Sequence, residues 1–362
     1  MRNLGRNVSR LAALSRAFQQ STSGETGSRL GEMQGFGSNP GDLAARTYVP
    51  DGLPANSPLV VILHGCTQTA AVYDKGSGWS DLADRHGFAL LYPEQRRSNN
   101  PNLCFNWYVP GDARRGKGEA KSISQMIAKM ISTHKLDPSR VFVTGLSAGG
   151  AMTSVMLAAY PELFAGGAIV AGLPFATANT LPEALERMTG NGFQPRDELV
   201  ERARAAAPRP SHIPTLSVWH GTRDHIVDAS NADAIVGQWR GLHGLGEARG
   251  EVDMVDGHRR ETWRDGKGRP LIEKYDIDGM GHGIPLDTAG EAPCGTAGPH
   301  MLEANICSTR RIAESWKLMA GKKGAAPRRA KPANDVVQAS RPDQGGVGAI
   351  IENALRAAGL MR

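Results

Sequence analysis

Nowhere does this 362-residue chain approach the roughly 18 consecutive apolar residues that a membrane-spanning helix needs, which argues against an integral membrane protein. Its four cysteines, Cys66, Cys104, Cys294 and Cys307, include no C-x-x-C spacing, which argues against a structural zinc site. Internal repeats are missing, and the N-terminus reads as a poor Sec signal, because Arg10 and Arg16 interrupt the apolar residues where an unbroken h-region is expected. That segment reads instead as a short basic amphipathic helix. A net charge of +6 suggests nucleic acid until it is located. The basic excess sits in residues 1–43 and 321–362, and the centre is close to neutral. Phosphate binding needs a folded basic surface or a much denser tail, so no nucleic-acid partner is expected.

Apolar residues make up 40% of the chain, an ordinary fraction that supports a sizeable core. After a basic helix and a Gly/Ser-rich linker (1–43), short apolar runs recur at Leu59–Leu63, Phe88–Tyr92, Val141–Thr144, Ala168–Ala171, Thr215–Trp219 and Ile272–Ile277. Their length and β-branched content predict strands. Helical stretches alternate with them. In "EAKSISQMIAKMISTHKL", Ile123, Met126, Ile127, Met130 and Ile131 fall on one face. Strand alternating with helix predicts an α/β fold, a mostly parallel sheet with helices on both faces. Residues 173–212 interrupt the rhythm with two helical pieces and no strand, and read as an insertion above the sheet. Residues 321–362 form a basic tail of low apolar content, read as disordered with a terminal amphipathic helix.

The stretch "RVFVTGLSAGGAMTSVM" places Ser147 between Gly145 and Gly149, after a strand-like run and before a helix-like one. That context fits a nucleophile elbow, where the serine occupies a sharp strand-to-helix turn and small neighbours let the backbones approach. A serine hydroxyl needs a base to take its proton, and the base needs an acid to orient it. On such a sheet the order is serine, acid, histidine. Asp224 follows the strand Thr215–Trp219, with Asp228 as its rival; the latter reads better as a capping residue. His282 follows the last strand between Gly281 and Gly283, whereas His225, His243, His258 and His300 lack that combination. The oxyanion hole needs two backbone N–H groups. Ala148 supplies one, and the turn "HGCT" after Leu63 supplies the other from Cys66, with Thr67 as the neighbouring candidate. His64 precedes the serine and reads as a brace for that turn. The strands leading to Cys66 and Cys104 would be neighbours, so Cys66–Cys104 and Cys294–Cys307 are the expected disulfides if the protein is exported. In a cytosolic protein the same residues would be buried thiols.

Several stretches, "VVILHGCTQTAAVYDKGSGWSDLADRHGFALLYPEQ", "NPNLCFNWY", "VFVTGLSAGGAMTSVMLAAYPELFAGGAIVAGLPF" and "HGTRDHIV", resemble the polyhydroxybutyrate depolymerase family of esterases, which is related to feruloyl and acetylxylan esterases. The resemblance spans roughly residues 44–320. It implies an α/β-hydrolase fold, Ser147 as nucleophile, Asp224 as acid, His282 as base, an extracellular location and short-chain polyhydroxyalkanoates as substrates. No polymer-binding domain is recognisable after the catalytic one, so a soluble oligomer, amorphous polymer or another ester suits the chain better than crystalline polymer.

The chemistry expected is two-step acyl transfer with no metal or organic cofactor. Trp79, Phe105, Trp107, Tyr108 and Trp316 are candidates for an apolar acyl cleft, each with core packing as its alternative. The competing functions are a feruloyl, acetylxylan or general short-chain esterase, a peptidase or thioesterase, and a catalytically silent binding protein on the same fold.

Overall fold

Strand β1 (Gly31–Glu32) runs antiparallel to β2 (Ala44–Tyr48), and β3 (Leu59–Leu63) leads through helices α1 (Ala70–Ser77) and α2 (Trp79–His86) to β4 (Ala89–Glu94). Helix α3 (Gly118–His134) precedes β5 (Val141–Leu146), and α4 (Ala148–Ala159) precedes β6 (Gly166–Val170). Helices α5 (Leu181–Met188) and α6 (Arg196–Ala205) follow, then β7 (Thr215–Gly221) and α7 (Ser230–His243). The chain continues through β8 (Glu251–Val255), β9 (His258–Arg264), β10 (Pro270–Ile277), β11 (Ile284–Leu286), β12 (Met301–Glu303) and α8 (Ser308–Ser315). This computed structural model describes residues 28–208 and 212–319. The N-terminal basic helix, the first part of the linker and the C-terminal tail with its terminal helix lie outside the described residues.

The sheet has ten strands in the order β1-β2-β4-β3-β5-β6-β7-β10-β9-β8. Its six central strands, β4 to β10 in that order, are parallel and coincide with the six apolar runs of the sequence. Strands β3, β5 and β6 are buried along their whole length, as parallel strands covered on both faces must be. Successive residues serve opposite faces. Leu59, Val61 and Leu63 pack with α3, α4 and α7, whereas Val60 and Ile62 pack with α2 and α8.

The strands without a counterpart among those apolar runs lie at the antiparallel edges and in the separate β11–β12 pair. In β8 and β9 exposed and half-exposed positions carry charge: Arg260 bridges Asp253 and Glu273, and Arg264 bridges Glu251. An edge strand buries little, so it lacks the apolar run that marks a central strand. The same reason corrects the linker boundary. Gly31 and Glu32 pair with Thr47 and Arg46, Arg29 bridges Asp81 and Asp84 on α2, and Leu43 is fully buried. Residues 28–43 are therefore part of the folded unit. Between β6 and β7, α6 packs on α7, where buried Gln238 accepts from Phe175 N–H and donates to Phe175 O and Leu199 O.

From β3 the chain passes to β4 on one side and then to β5 on the other. The connections after β3 and β5 therefore diverge and leave a crevice at the carboxyl edge, where open α/β sheets bind ligands.

Candidate active site

Between the end of β5 at Leu146 and the start of α4 at Ala148, the whole reversal falls on Ser147. Its φ of 56° and ψ of −118° lie in a region that costs a non-glycine residue about 1–3 kcal/mol unless the surroundings enforce it. Hydrogen bonds do so: Ser147 N–H donates to Val170 O (2.9 Å), and Ala151 N–H donates to Ser147 O (2.8 Å). Contact dictates the flanking glycines. A Cβ on Gly149 would lie 2.1 Å from Leu63 O, and one on Gly145 would lie 2.4 Å from Gly149 O. Helix α4 thereby abuts the end of β3, and Ser147 stands half-buried beside the turn that follows it.

That turn is clamped from several directions. His64 Nδ1–H donates to Gly65 O (2.8 Å), and His64 Nε2 accepts from Gln95 N–H (3.1 Å) just past β4. Both ring nitrogens are engaged in bracing, and burial holds the imidazole below its ordinary pKa, in the neutral form. Gly65 N–H donates to Gln68 Oε1 (2.9 Å), and Cys66 is disulfide-bonded to Cys104. Thr67 N–H donates to Asn102 O (2.7 Å), which removes it as a free donor. The N–H groups of Cys66 and Ala148 have no hydrogen-bond acceptor among the described residues. Two unengaged donors thus flank Ser147, as stabilisation of an oxyanion requires.

Asp224 lies in the loop after β7. Its Oδ1 accepts from Ile226 N–H (2.8 Å) and Val227 N–H (2.9 Å), and its Oδ2 accepts from His282 Nδ1–H at 2.7 Å. Burial alone would push this carboxyl up, but His282 and His220 beside it hold it well below the usual carboxylate range. Because a carboxylate can only accept, His282 carries its proton on Nδ1 and presents a lone pair on Nε2. Ser147 and His282 line one small cleft with Gly65, Cys66, Gln68, Leu146 and His300, with room for about one water (10 Å³). A nucleophile and a base with its lone pair free in one cleft, with two N–H donors flanking the serine, can carry out acyl transfer.

The rivals sit elsewhere. Exposed Asp228 accepts from Ser230 N–H and Oγ–H at the start of α7. His225 is exposed, His243 Nε2–H donates to Pro214 O, and His258 is held between Ala304 O and Asp278 N–H. His300 does reach the cleft: its Nδ1–H donates to His282 O (3.1 Å). A Cβ on Gly283 would lie 2.7 Å from His300 O, so this glycine permits the approach. Neither His300, nor Gln68 in the "HGCTQ" stretch, nor His220 received a role from the sequence. Only Gln68 had a signal, its place beside the oxyanion turn.

The tryptophans divide. Trp79 stacks on Trp316 (6.1 Å), and Trp316 stacks on Phe142 (4.8 Å), the second residue of β5. Ser147 lies five residue steps along the chain from Phe142, roughly 16 Å. Trp79 and Trp316 are thus core residues at the amino end of the sheet, away from the cleft, because the stretch that bears Trp316 returns under that end. Phe105 is buried against His64 (4.9 Å), also as core. Trp107 and half-buried Tyr108 meet edge to face three residues beyond Cys104, on the carboxyl side. The second disulfide joins Cys294 to Cys307.

Beneath the oxyanion turn lies a buried carboxyl. Glu119 accepts from Gln95 Nε2–H (2.6 Å) and Asn106 N–H (2.9 Å), and Gln95 also donates to Cys104 O. Burial first, and then Asp112 nearby, push Glu119 up to about 8. Its folded-state pKa therefore exceeds the unfolded value of 4.5, and the folded state keeps a proton that the unfolded chain releases between those values. The stability linked to this proton is complete below pH 4.5 and is lost as pH rises towards 8. Glu119→Gln should flatten the fall of thermal midpoint between pH 5 and 8, by up to a few kcal/mol of pH-dependent stability. Parallel curves for wild type and variant would refute this.

A family model described as Esterase PHB depolymerase matches residues 43–263. Poly(3-hydroxyalkanoate) depolymerase C of Paucimonas lemoignei is 44% identical over 296 residues, covering 80% of this chain and 70% of the relative. Feruloyl esterase B of Talaromyces funiculosus is 29% identical over 269 residues, covering 72% and 74%. The solved acetyl xylan esterase from Aspergillus awamori superposes with a TM-score of 0.67 at 25% identity, covering 80% of this chain and 99% of that one. With more than half of its length inside that family model, the chain belongs to the Esterase PHB depolymerase family and is a serine ester hydrolase with an α/β-hydrolase fold.

Proposed function

We propose that the protein hydrolyses poly(3-hydroxybutyrate) or its oligomers through an acyl-enzyme on Ser147. The observation that carries the catalytic reading is the Asp224–His282 hydrogen bond, with Ser147 held at positive φ in the same cleft. Ser147 Oγ attacks the ester carbonyl as His282 Nε2 takes its proton, and the oxyanion accepts from the N–H groups of Cys66 and Ala148. Collapse expels the alcohol, protonated by His282. Water, deprotonated by the same imidazole, then releases the acid and restores Ser147.

The substrate class is supported by the 44% identity to a poly(3-hydroxyalkanoate) depolymerase. Trp107 lines the approach, the catalytic unit spans residues 44–320 together with the packed segment before it, and 173–212 is an insertion in it. Two disulfides support export to an oxidising compartment. Among the described residues no helix is long and apolar enough to cross a membrane. A second reading, a feruloyl or acetylxylan type of esterase, is favoured by the superposition on an acetyl xylan esterase.

Purified protein assayed on 3-hydroxybutyrate oligomers, amorphous polyhydroxybutyrate, methyl ferulate and acetylated xylan decides between them. The oligomers should give a kcat/KM at least about tenfold above the plant-type esters, a margin set by pocket contacts worth one to a few kcal/mol. The reverse order would assign the second reading. Inactivity on all four, without fluorophosphonate labelling, would leave a binding protein.

A further inference from the structure

Two nitrogens on residues that line the cleft have no hydrogen-bond partner among the described residues. Gln68 is 3% exposed, and since its Oε1 accepts from Gly65 N–H, its Nε2 carries donor hydrogens that meet no acceptor. His300 donates from Nδ1 to His282 O, so its Nε2 holds a lone pair, likewise enclosed and without a partner. Burial and the neighbouring His282 lower the His300 pKa, which keeps the ring neutral and that lone pair available. Buried polar groups are seldom left unpaired, and where they are, a ligand or an unseen water is the usual explanation. Both residues line the cleft that holds Ser147 and His282.

One donor and one acceptor are the complement of a hydroxyl, which accepts through oxygen and donates through hydrogen. We infer that Gln68 and His300 read a hydroxyl on the acyl part of the substrate, Gln68 donating to it and His300 accepting from it. This rests on the ester-hydrolase reading above and narrows it. An acyl group with a free hydroxyl is the hydroxyl-terminal unit of a 3-hydroxyacid oligomer. Hydrolysis of the ester of that unit consumes water, releases the hydroxy acid and leaves the shortened oligomer as the alcohol. A water molecule offers the same hydrogen-bonding pattern, and the experiment separates the two.

The comparison uses methyl 3-hydroxybutyrate, methyl 3-methoxybutyrate and methyl butyrate, which share one leaving alcohol. Wild type should prefer the hydroxy ester by about 10-fold to 100-fold in kcat/KM, the range expected when an analogue leaves a buried polar group unpaired. In His300→Asn the amide keeps the donor to His282 O and tolerates the backbone φ of 59°, but the distant acceptor is gone. That preference should then fall towards unity, while His300→Gln, whose carbonyl reaches further, should restore part of it. Capping the hydroxyl terminus of a 3-hydroxybutyrate trimer should slow its cleavage by wild type about tenfold, a test that needs no variant. The inference is overturned if wild type hydrolyses all three esters without preference, or if capping has no effect. It is also overturned if His300→Asn slows all three equally, which would place a water there. Inactivity of wild type on every ester would instead defeat the ester-hydrolase reading itself.

Discussion

Ser147→Ala is expected to lower kcat by roughly a million-fold on every ester the protein hydrolyses, the size of effect seen when a serine nucleophile is deleted from an intact triad. In the proposed mechanism the residual rate would come from the Cys66 and Ala148 N–H donors and from binding. The Ser147 hydroxyl makes no hydrogen bond among the described residues, and alanine inherits the same positive φ, so the thermal midpoint should stay close to wild type. Loss of fluorophosphonate labelling together with an unchanged melting curve is the expected pair of results. A variant that keeps more than about a thousandth of the activity would remove Ser147 from the mechanism.

Asp224→Asn should lower kcat about ten-thousand-fold, for a reason the loop geometry makes specific. Oδ1 of Asp224 already accepts from Ile226 N–H and Val227 N–H. An asparagine must keep its carbonyl oxygen on those donors, which turns its NH₂ towards His282. The imidazole then has to accept at Nδ1 and carry its proton on Nε2, the wrong tautomer for taking a proton from Ser147. Asp228→Asn, on the exposed start of α7, should change kcat by no more than a few-fold. Similar losses in both variants would undo the assignment of Asp224. The same substitution should make the protein less sensitive to acid. The depressed Asp224 carboxyl contributes stability that is present above the unfolded pKa and lost as pH falls through the folded one.

Much of the site was legible because its signals are local. A nucleophile elbow needs a buried strand, a serine and small neighbours within about ten residues, and "VFVTGLSAGGAM" contains them all. The proposed acid and base each follow a strand, so Asp224 and His282 could be picked by order along the chain. The central strands were legible because burial on both faces forces a continuous apolar run. At the edges one face meets water, and the charged sequence of β9 hides a strand that only its partners reveal.

What the sequence determined by itself is therefore the parallel core and the chemistry its carboxyl edge could support, since both depend on residues close together in the chain. Tertiary structure decided the rest. It chose Cys66 over Thr67 as the available donor, because Asn102, far along the chain, engages the Thr67 N–H. It removed Trp79 and Trp316 from the cleft by stacking them under the opposite end of the sheet. It also brought His300, eighteen residues beyond His282, back against that residue's carbonyl, and set it with Gln68 beside Ser147. These outcomes turn on which distant groups reach a given N–H, ring or lone pair. No local pattern records that, because the contacts form only when the sheet and its loops close on one another.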